Sequence, residues 1–335
     1  MSADPLSDVL RTVRLTGGLF FLVDASSPWV VEVPVAEALR PILLPDAQHM
    51  ISYHVVTSGS CWAALTDGGP PVRLEAGDVV LFPHGDPYVM SSAPGMRAEE
   101  PVEAALEFFR QMAATGPPSI ALDETGGEQT RVCCGYLGCD LRPFNPVLAA
   151  MPRLVHLRPP EGAEADRLRP LVEFALSESR EGRAGGQCVL LRVSELMFVE
   201  VVRRYLASLP SEQTGWLAGL RDPVVGRALI LLHGRPAEGW TLDRLATEVG
   251  VSRSALADRF AHLVGQPPMQ YLARWRMQVA ARMLADGAAK VCTVALDVGY
   301  ESEAAFSRAF KKIVGASPAA WRRQTTDAVR VAARG

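Results

Sequence analysis

The chain has almost no lysine. Its 335 residues include only Lys290, Lys311 and Lys312, so nearly all of the positive charge comes from arginine. Residues 1–235 hold 20 arginines against 28 acidic residues, whereas residues 236–335 hold 11 arginines and the 3 lysines against 9 acidic residues. The net charge is therefore −8 in the first part and +5 in the second, within a total of −3. Only the C-terminal part has the sign that favours contact with phosphates.

Long apolar runs and a basic leader are also missing. No run approaches the roughly 18 apolar residues that cross a bilayer, and the polar, acidic start Met1–Pro5 lacks the basic region of a signal peptide. We therefore expect a cytoplasmic protein with no membrane partner. Six cysteines in a chain of this length do not form a disulfide framework. With 48% apolar and 21% charged residues, the chain is expected to fold, and its length fits two domains.

Short strand-like runs dominate residues 10–140, separated by glycine, proline and aspartate turn signals. Their spacing predicts an all-β sandwich or barrel. Residues Glu103–Ala113 and Ser119–Gly127 interrupt the pattern as an excursion that we interpret as partly helical. The predicted strands are Leu19–Val23, Tyr53–Thr57, Cys61–Leu65, Val79–Phe82 and Gln129–Leu141.

Apolar residues take up helical spacing after residue 147. Asp166–Arg180 and Gln187–Leu209 each carry an apolar stripe, and the glycine-rich stretch Glu181–Gly186 separates them. We interpret them as a helix pair that joins two copies of the chain into a homodimer. The alternative is that the pair packs against the barrel of its own chain. Ser208–Trp216, around Pro210, is the best linker candidate.

The last hundred residues contain two helix-turn-helix patterns. In the first, Thr241–Phe260, Gly250 permits a left-handed turn and Ser252 can cap a helix over about Arg253–Leu263. In the second, Thr293–Phe310, a glycine and a serine recur at the same offsets. Two patterns with the same internal order indicate a protein that reads DNA.

A helix without internal breakers is predicted between the two patterns. It runs over Pro267–Leu284 and begins with prolines, which suit a helix N-terminus. Such a helix would hold the two recognition helices at a fixed separation. They would then enter successive major-groove segments, about 34 Å apart on one face of the duplex.

The stretch Gly299–Arg322 closely resembles the signature of AraC/XylS-type transcription regulators, and the resemblance extends over about residues 222–324. It implies a seven-helix DNA-binding domain, double-stranded promoter DNA as ligand and RNA polymerase as a partner. It also implies which residues lie at the DNA. These are Ser252, Arg253, Ser254, Asp258 and Arg259 in the first motif, and Ser302, Glu303, Ser307, Arg308 and Lys311 in the second.

The two recognition helices are expected to differ in role. Arg253 and Arg259 equip the first for base contacts. The second opens with acidic residues, and Glu303 beside a phosphate costs energy unless it accepts a hydrogen bond from a cytosine amino group. We therefore expect the second helix to dock mainly on the DNA backbone, through Arg308 and Lys311.

The run Gly77–Tyr88 follows the spacing of the second cupin motif, with Tyr88 where metal cupins have histidine and Ser92 where they have asparagine. The other cupin motif, with its H-x-H, is not recognisable. The N-terminal part thus resembles a cupin barrel with a lost or remodelled metal set, similar to the sensor domain that precedes many AraC-type DNA-binding domains. The stretches Tyr53–Trp62 and Cys134–Tyr136 carry this closer resemblance.

Strand alternation places His54 on the face opposite to Tyr53, where it can meet Tyr88 and Cys134 inside the barrel. Three interpretations stay open: an organic effector site, a metal or redox site, and an inert hydrogen-bonded core. Adjacent cysteines on a strand face opposite sides, so a redox pair needs a distant partner such as Cys61. The candidate effector residues are His54, Cys61, Tyr88 and Cys134, with His54 and Cys134 as the best metal ligands.

These observations predict an α+β protein, with an N-terminal cupin-like β-barrel, a helical dimerisation or linker segment and a C-terminal all-α domain. We expect a sensing domain at 1–146, the helical segment at 147–210, the tandem helix-turn-helix domain at 216–324 and a flexible tail at 325–335. The predicted function is effector-responsive, sequence-specific transcription regulation, without catalysis. No cofactor is certain. The alternative, a cupin-type metal enzyme fused to a DNA-targeting module, requires the metal set that Tyr88 interrupts.

Overall fold

The computed structural model describes residues 4–13, 15–115, 119–122, 126–140, 143–160, 166–210, 212–287 and 289–324. Over these residues, no helix is both long enough and apolar enough to span a membrane. The tail expected at 325–335 lies outside the described residues, as does Leu141, the last residue of one predicted strand.

The chain forms two compact units, and neither is continuous in sequence. The helical unit comprises the described residues of Met1–Arg14, Leu141–Ala150 and Leu209–Gly335, and the barrel unit comprises those of Leu15–Asp140 and Met151–Ser208. This division differs from the expected domain bounds at the N-terminus, because the first helix of the chain packs with the helical unit. It also differs at the helix pair, which packs with the barrel unit.

Two β-sheets form the barrel unit. In one, the strand order is β10-β6-β3-β9-β1-β8, and in the other it is β2-β7-β4-β5. An apolar cluster with contributions from both sheets fills the interior, including Phe21, Val56, Phe82 and Met90. The strands are β1 (Leu15–Ser26), β2 (Val30–Val33), β3 (His49–Ser58), β4 (Ser60–Leu65), β5 (Val72–Glu75), β6 (Val79–Phe82), β7 (Tyr88–Ser91), β8 (Ser119–Leu122), β9 (Gln129–Cys139) and β10 (Val155–Leu157).

The excursion after residue 102 contains a helix and a strand. Helix α3 (Val102–Thr115) confirms the helical interpretation of its first half, and Phe109 and Met112 form its buried side. The partly helical interpretation is wrong for Ser119–Leu122, which is strand β8 and pairs in parallel with β1. Ile120 and Leu122 alternate with exposed neighbours and pack on the apolar cluster. This alternation of apolar and exposed residues favours a strand over a helix. Helix α2 (Ala36–Leu43) packs against α3.

The predicted helix pair is present as α5 (Leu168–Glu181) and α6 (Gly186–Ser208). The two helices pack against each other, and both contact strand β1. Val172, Met197 and Val202 are buried in this arrangement. The buried faces of the helix pair therefore pack against the barrel of the same chain, as the alternative interpretation predicts. Phe174 on α5 and Leu196 on α6 remain 47% and 54% exposed.

The helical unit is built around the tandem helix-turn-helix motifs. Helix α1 (Pro5–Thr12), capped by Asp4, buries Leu6 and Val9 and packs against α8 (Pro223–Gly234) and α11 (Pro268–Ala285). The predicted connecting helix is confirmed as α11. The other helices of the unit are α4 (Pro146–Ala149), α7 (Trp216–Arg221), α9 (Leu242–Val249), α10 (Arg253–Val264), α12 (Val291–Asp297) and α13 (Glu303–Val314).

Candidate DNA interface and effector cavity

The first helix-turn-helix motif consists of α9 and α10. Gly250 ends α9 with φ at 78°, in the left-handed region that a side chain resists. The Ser252 hydroxyl then accepts a hydrogen bond from the Ala255 amide at 3.2 Å and caps α10. Leu256 and Phe260 fix the inner face of α10, because both are fully buried. The glycine, the cap and the inner face together orient the outer face of the recognition helix toward solvent.

The second motif, α12 and α13, repeats this arrangement. Gly299 has φ at 85°, and the Ser302 hydroxyl accepts from the Ala305 amide at 3.2 Å. The two turns even share their backbone hydrogen bonds, since the Tyr300 amide donates to the Ala295 carbonyl as the Val251 amide donates to the Ala246 carbonyl. The predicted turn and cap residues of both motifs are therefore in the expected places.

Most of the expected DNA contacts lie on the exposed faces of α10 and α13, and only Ser307 is half-buried. Several already have partners within the chain. Arg253 lies 3.6 Å from the Asp243 carboxylate. Arg259 donates two hydrogen bonds, of 2.6 and 2.8 Å, to Asp222, which also caps α8.

The basic side chains of the second recognition helix have fewer carboxylate partners among the described residues than those of the first. Arg308 and Lys311 are exposed and form no ion pair among the described residues. Arg259, by contrast, is held toward α8 by Asp222, so it must exchange that partner before it can contact DNA. Arginine content favours α10 for base contacts, and this stays a prediction. In the described residues of the two recognition helices, the basic side chains without an ion pair lie on α13.

Arg276 on α11 links the two motifs, and the sequence analysis missed it. Its guanidinium donates to the carbonyls of Pro236 and Glu238, at 2.7 and 2.9 Å, in the loop that precedes α9. It also donates to the carbonyl of Gly299 in the turn of the second motif, at 3.4 Å. Desolvation lowers the pKa of this guanidinium. A mid-helix arginine gives no local signal for such contacts, because its partners are distant backbone carbonyls.

The barrel encloses an apolar cavity of about 50 Å³. His54 and Cys134 lie opposite each other in the β3–β9 register, and both line the cavity. His54 Nε2 is 2.7 Å from the Tyr88 hydroxyl, so the predicted His54–Tyr88 contact is present. The full lining is Phe21, Val23, Trp29, Val31, Val33, His54, Met90, Phe108, Phe109, Ile120, Leu122, Val132, Cys134 and Tyr136.

Burial suppresses the ionisation of the groups around this cavity. It lowers the pKa of His54 to about 3 and raises the pKa of Cys61 to about 12. The pKa of Cys134 is also raised well above its usual value by burial. A neutral imidazole and protonated thiols follow at neutral pH, and a protonated thiol is a poor nucleophile. The described residues contain no cluster of three or more histidine, cysteine, aspartate or glutamate side chains suited to a metal ion.

Two parts of the cavity wall carry little sequence signal. Trp29 follows the turn after β1 and belongs to no recognisable motif. Phe108 and Phe109 come from α3, which lies outside the cupin-like motif Gly77–Tyr88. For Phe108 and Phe109, the available sequence signal was an adjacent aromatic pair on an amphipathic helix.

Two protein families match this chain. Residues 4–207 match the family described as Cupin, and residues 245–324 match the family described as Helix-turn-helix domain. The chain is similar to a putative AraC-like transcription regulator from Streptomyces lividans, with 32% identity over 96% of this chain and 99% of the relative. It is also similar to the HTH-type transcriptional regulator AlkR from Acinetobacter baylyi, with 26% identity over 96% of this chain and 100% of the relative.

A solved structure, the DNA-binding domain of AdpA in complex with a target DNA, shows 31% identity over 31% of this chain and 92% of that chain, with a TM-score of 0.29. The two full-length relatives and the two family matches carry the assignment. The chain belongs to the AraC-like transcription regulators, with an N-terminal cupin region and a C-terminal helix-turn-helix DNA-binding domain.

Proposed function

We propose that the chain is a sequence-specific promoter-binding regulator whose barrel cavity receives a small effector that changes DNA binding. The observation that carries the proposal is the pair of capped recognition helices, α10 and α13, on one scaffold in the basic part of the chain. Selection of binding sequences from a random duplex pool by the full chain tests it. Recovery of a bipartite consensus supports the proposal, and recovery of unenriched sequence contradicts it.

The ten residues expected at the DNA include helix caps and side chains that are free to contact the duplex. Ser252 and Ser302 use their hydroxyls as helix caps, so their role is to position the helices. Arg308 and Lys311 provide the first cationic contacts, and Arg253 joins them by leaving its exposed partner Asp243. Such exposed pairs are worth little, so the exchange costs about 1 kcal/mol or less.

Replacing Arg308 with alanine is expected to weaken operator binding. If the guanidinium reads a base, the loss is about 1–3 kcal/mol and specificity relaxes at one position. If it holds a phosphate, binding weakens on all sequences and the salt slope falls by about one. Titration of the selected operator at several salt concentrations separates the two cases. Arg227→Ala, an exposed arginine on α8, is the matched control, and equal behaviour of the two variants would remove Arg308 from the interface.

The exposed side of the helix pair supports a homodimer. Phe174 and Leu196 are large apolar side chains that stay about half exposed on helices whose other faces are buried or charged. Phe174→Glu combined with Leu196→Glu is therefore expected to raise the dimer dissociation constant about tenfold or more, because two apolar contacts become charged. Sedimentation equilibrium measures the change, with Val102→Glu, 58% exposed on α3, as control. A dimer unaffected by the double change would contradict this interface.

We further propose that RNA polymerase is a partner and that the protein acts in the cytoplasm, where it meets promoter DNA. Leu296 on α12 is 62% exposed and lies outside both recognition helices, which suits a protein contact beside the DNA. The proposal assigns no catalytic role to the barrel. The apolar lining, with neutral His54 and a protonated Cys134, supports binding rather than chemistry.

A further inference from the structure

The barrel cavity has an unusually uniform lining. All of its described lining residues are apolar or aromatic, with the single exception of His54, and none carries a charge at neutral pH. An ion inside this cavity would lose its hydration and find no counter-charge, which makes charged ligands unfavourable. The lining therefore selects against anions and cations alike.

A second, larger space borders the first. It has a volume of about 800 Å³ and shares Val31, Val33, Phe108, Phe109 and Leu122 with the cavity wall. Phe108 is 39% exposed, whereas Phe109 is buried. The inner cavity alone holds only the volume of a few water molecules. A larger ligand would therefore need the outer space as well, beyond the wall that Phe108 and Phe109 help to form.

The outer space does not favour an anion either. Its one arginine among the described lining residues, Arg97, donates to both carboxylate oxygens of Glu32. Glu99 and Glu100 add negative charge nearby. Arg97 is therefore neutralised in place, and a carboxylate ligand would meet two further acidic side chains.

Two nitrogen atoms on lining residues lack hydrogen-bond partners. They are Trp29 Nε1 and His54 Nδ1, and both are fully buried within the described structure. Neither nitrogen is exposed to the cavity, whose accessible surface is entirely apolar. A ligand in the cavity therefore meets an apolar surface.

Building on the proposed effector response, we propose that the effector is an uncharged, mainly apolar molecule, such as a medium-chain ketone or ester. Its apolar body fills the cavity, and the rest of the molecule extends toward the outer space. Sugars and other polyols are excluded because most of their hydroxyls would be buried without partners. Fatty carboxylates are excluded because the charge has no cation to meet.

The test is calorimetric titration of the full chain at pH 7 with 2-hexanone, 2-octanone and 2-decanone against hexanoate, octanoate and decanoate. We expect at least one ketone to bind, and to bind at least tenfold more tightly than the carboxylate of equal chain length. Equal or tighter binding of the carboxylates, or no binding of any ketone, overturns the proposal.

The site of binding is tested by filling the cavity. Ile120→Trp, at a half-buried lining position on β8, is expected to weaken ketone binding at least tenfold. Ile230→Trp, the same change at an exposed position on α8, is expected to have no effect. Ketone affinity unchanged by Ile120→Trp in a protein with a native circular dichroism spectrum would place the ligand elsewhere and overturn the assignment.

Operator titration with each ligand separates this inference from the proposed function. Ketone binding without a change in operator affinity would refute the effector response and leave the ligand class standing. An operator affinity that responds to carboxylates and not to ketones would refute the ligand class and leave the effector response standing.

Discussion

Gly299→Ala is expected to destabilise the second helix-turn-helix motif by about 3 kcal/mol or more, whereas Gly250→Ala is expected to cost the first motif only about 1–2 kcal/mol. Both glycines have left-handed φ values, of 85° and 78°, so both substitutions pay the same backbone penalty. They differ in what a new Cβ would meet. At Gly299 it would lie 2.5 Å from the carbonyl oxygen of Ala237, and at Gly250 nothing lies within 4 Å.

The contact at Gly299 involves backbone, so it cannot be relieved by rotating a side chain. The loop around Ala237 would have to move, and Arg276 binds the carbonyls of Pro236 and Glu238 on either side of it. Amide hydrogen exchange of peptides from α12 and α13, compared with peptides from α9 and α10, measures the local loss of stability. Similar effects of the two substitutions would show that the loop yields easily and that the second turn is not held against it.

Local signals account for the parts of the fold that the sequence predicted well. A turn glycine, a capping serine and apolar residues at helical spacing lie within about twenty residues of one another in each motif, so Gly250, Ser252, Gly299 and Ser302 were identifiable without tertiary information. The His54–Tyr88 contact was also predicted, because strand alternation and the cupin-like spacing indicated that both side chains face the barrel interior.

Long-range packing decides the parts that were missed. Helix α1 has an amphipathic sequence like many surface helices, and nothing in it shows that Leu6 and Val9 are buried against α8 and α11. Strand β8 is short and lies at the edge of its sheet, so its period of two extends over only a few residues. Trp29 and Phe109 line the same cavity only after the sheets and α3 have assembled.

The availability of the basic side chains on the recognition helices depends on long-range packing as well. Arginine content favoured α10 for base contacts, but the structure pairs Arg259 with Asp222, more than thirty residues away in sequence. Asp222 is well placed for this because its carboxylate already caps α8. A sequence pattern shows which side chains face outward, whereas the partner that occupies each one depends on the packing of helices that are distant in sequence.

Arg276→Met is expected to reduce the stability of the helical unit by about 3 kcal/mol and to weaken binding to the two-site operator more than binding to either half-site. The guanidinium donates to the loop before α9 and to the turn at Gly299, so it joins both motifs to α11. Hydrogen bonds from a charged donor are worth about 1.5–3 kcal/mol each, and loss of the donor leaves partly buried carbonyls without their partner. Methionine retains most of the apolar stem and removes only the donors.

Arg276→Lys separates charge from geometry. An ammonium group is a compact charge that cannot span three carbonyls in the way that a planar guanidinium does, so an intermediate loss is expected. Arg244→Met is the matched control, because the Arg244 guanidinium binds the Glu238 side chain and the Trp240 ring face, with no other partner among the described residues, and is 43% exposed. It is expected to cost about 1 kcal/mol or less.

The decisive measurement compares the affinities for the whole operator and for each half-site alone. If Arg276 fixes the separation of α10 and α13, Arg276→Met leaves half-site binding close to normal and lowers the affinity for the whole operator about tenfold or more. The reason is that two recognition helices without a fixed separation bind their half-sites independently, so the effective concentration of the second helix at its half-site falls. A uniform loss across all three duplexes would mean that the substitution only destabilises the fold. In that case α11 by itself, continuous from Pro268 to Ala285, would hold the spacing.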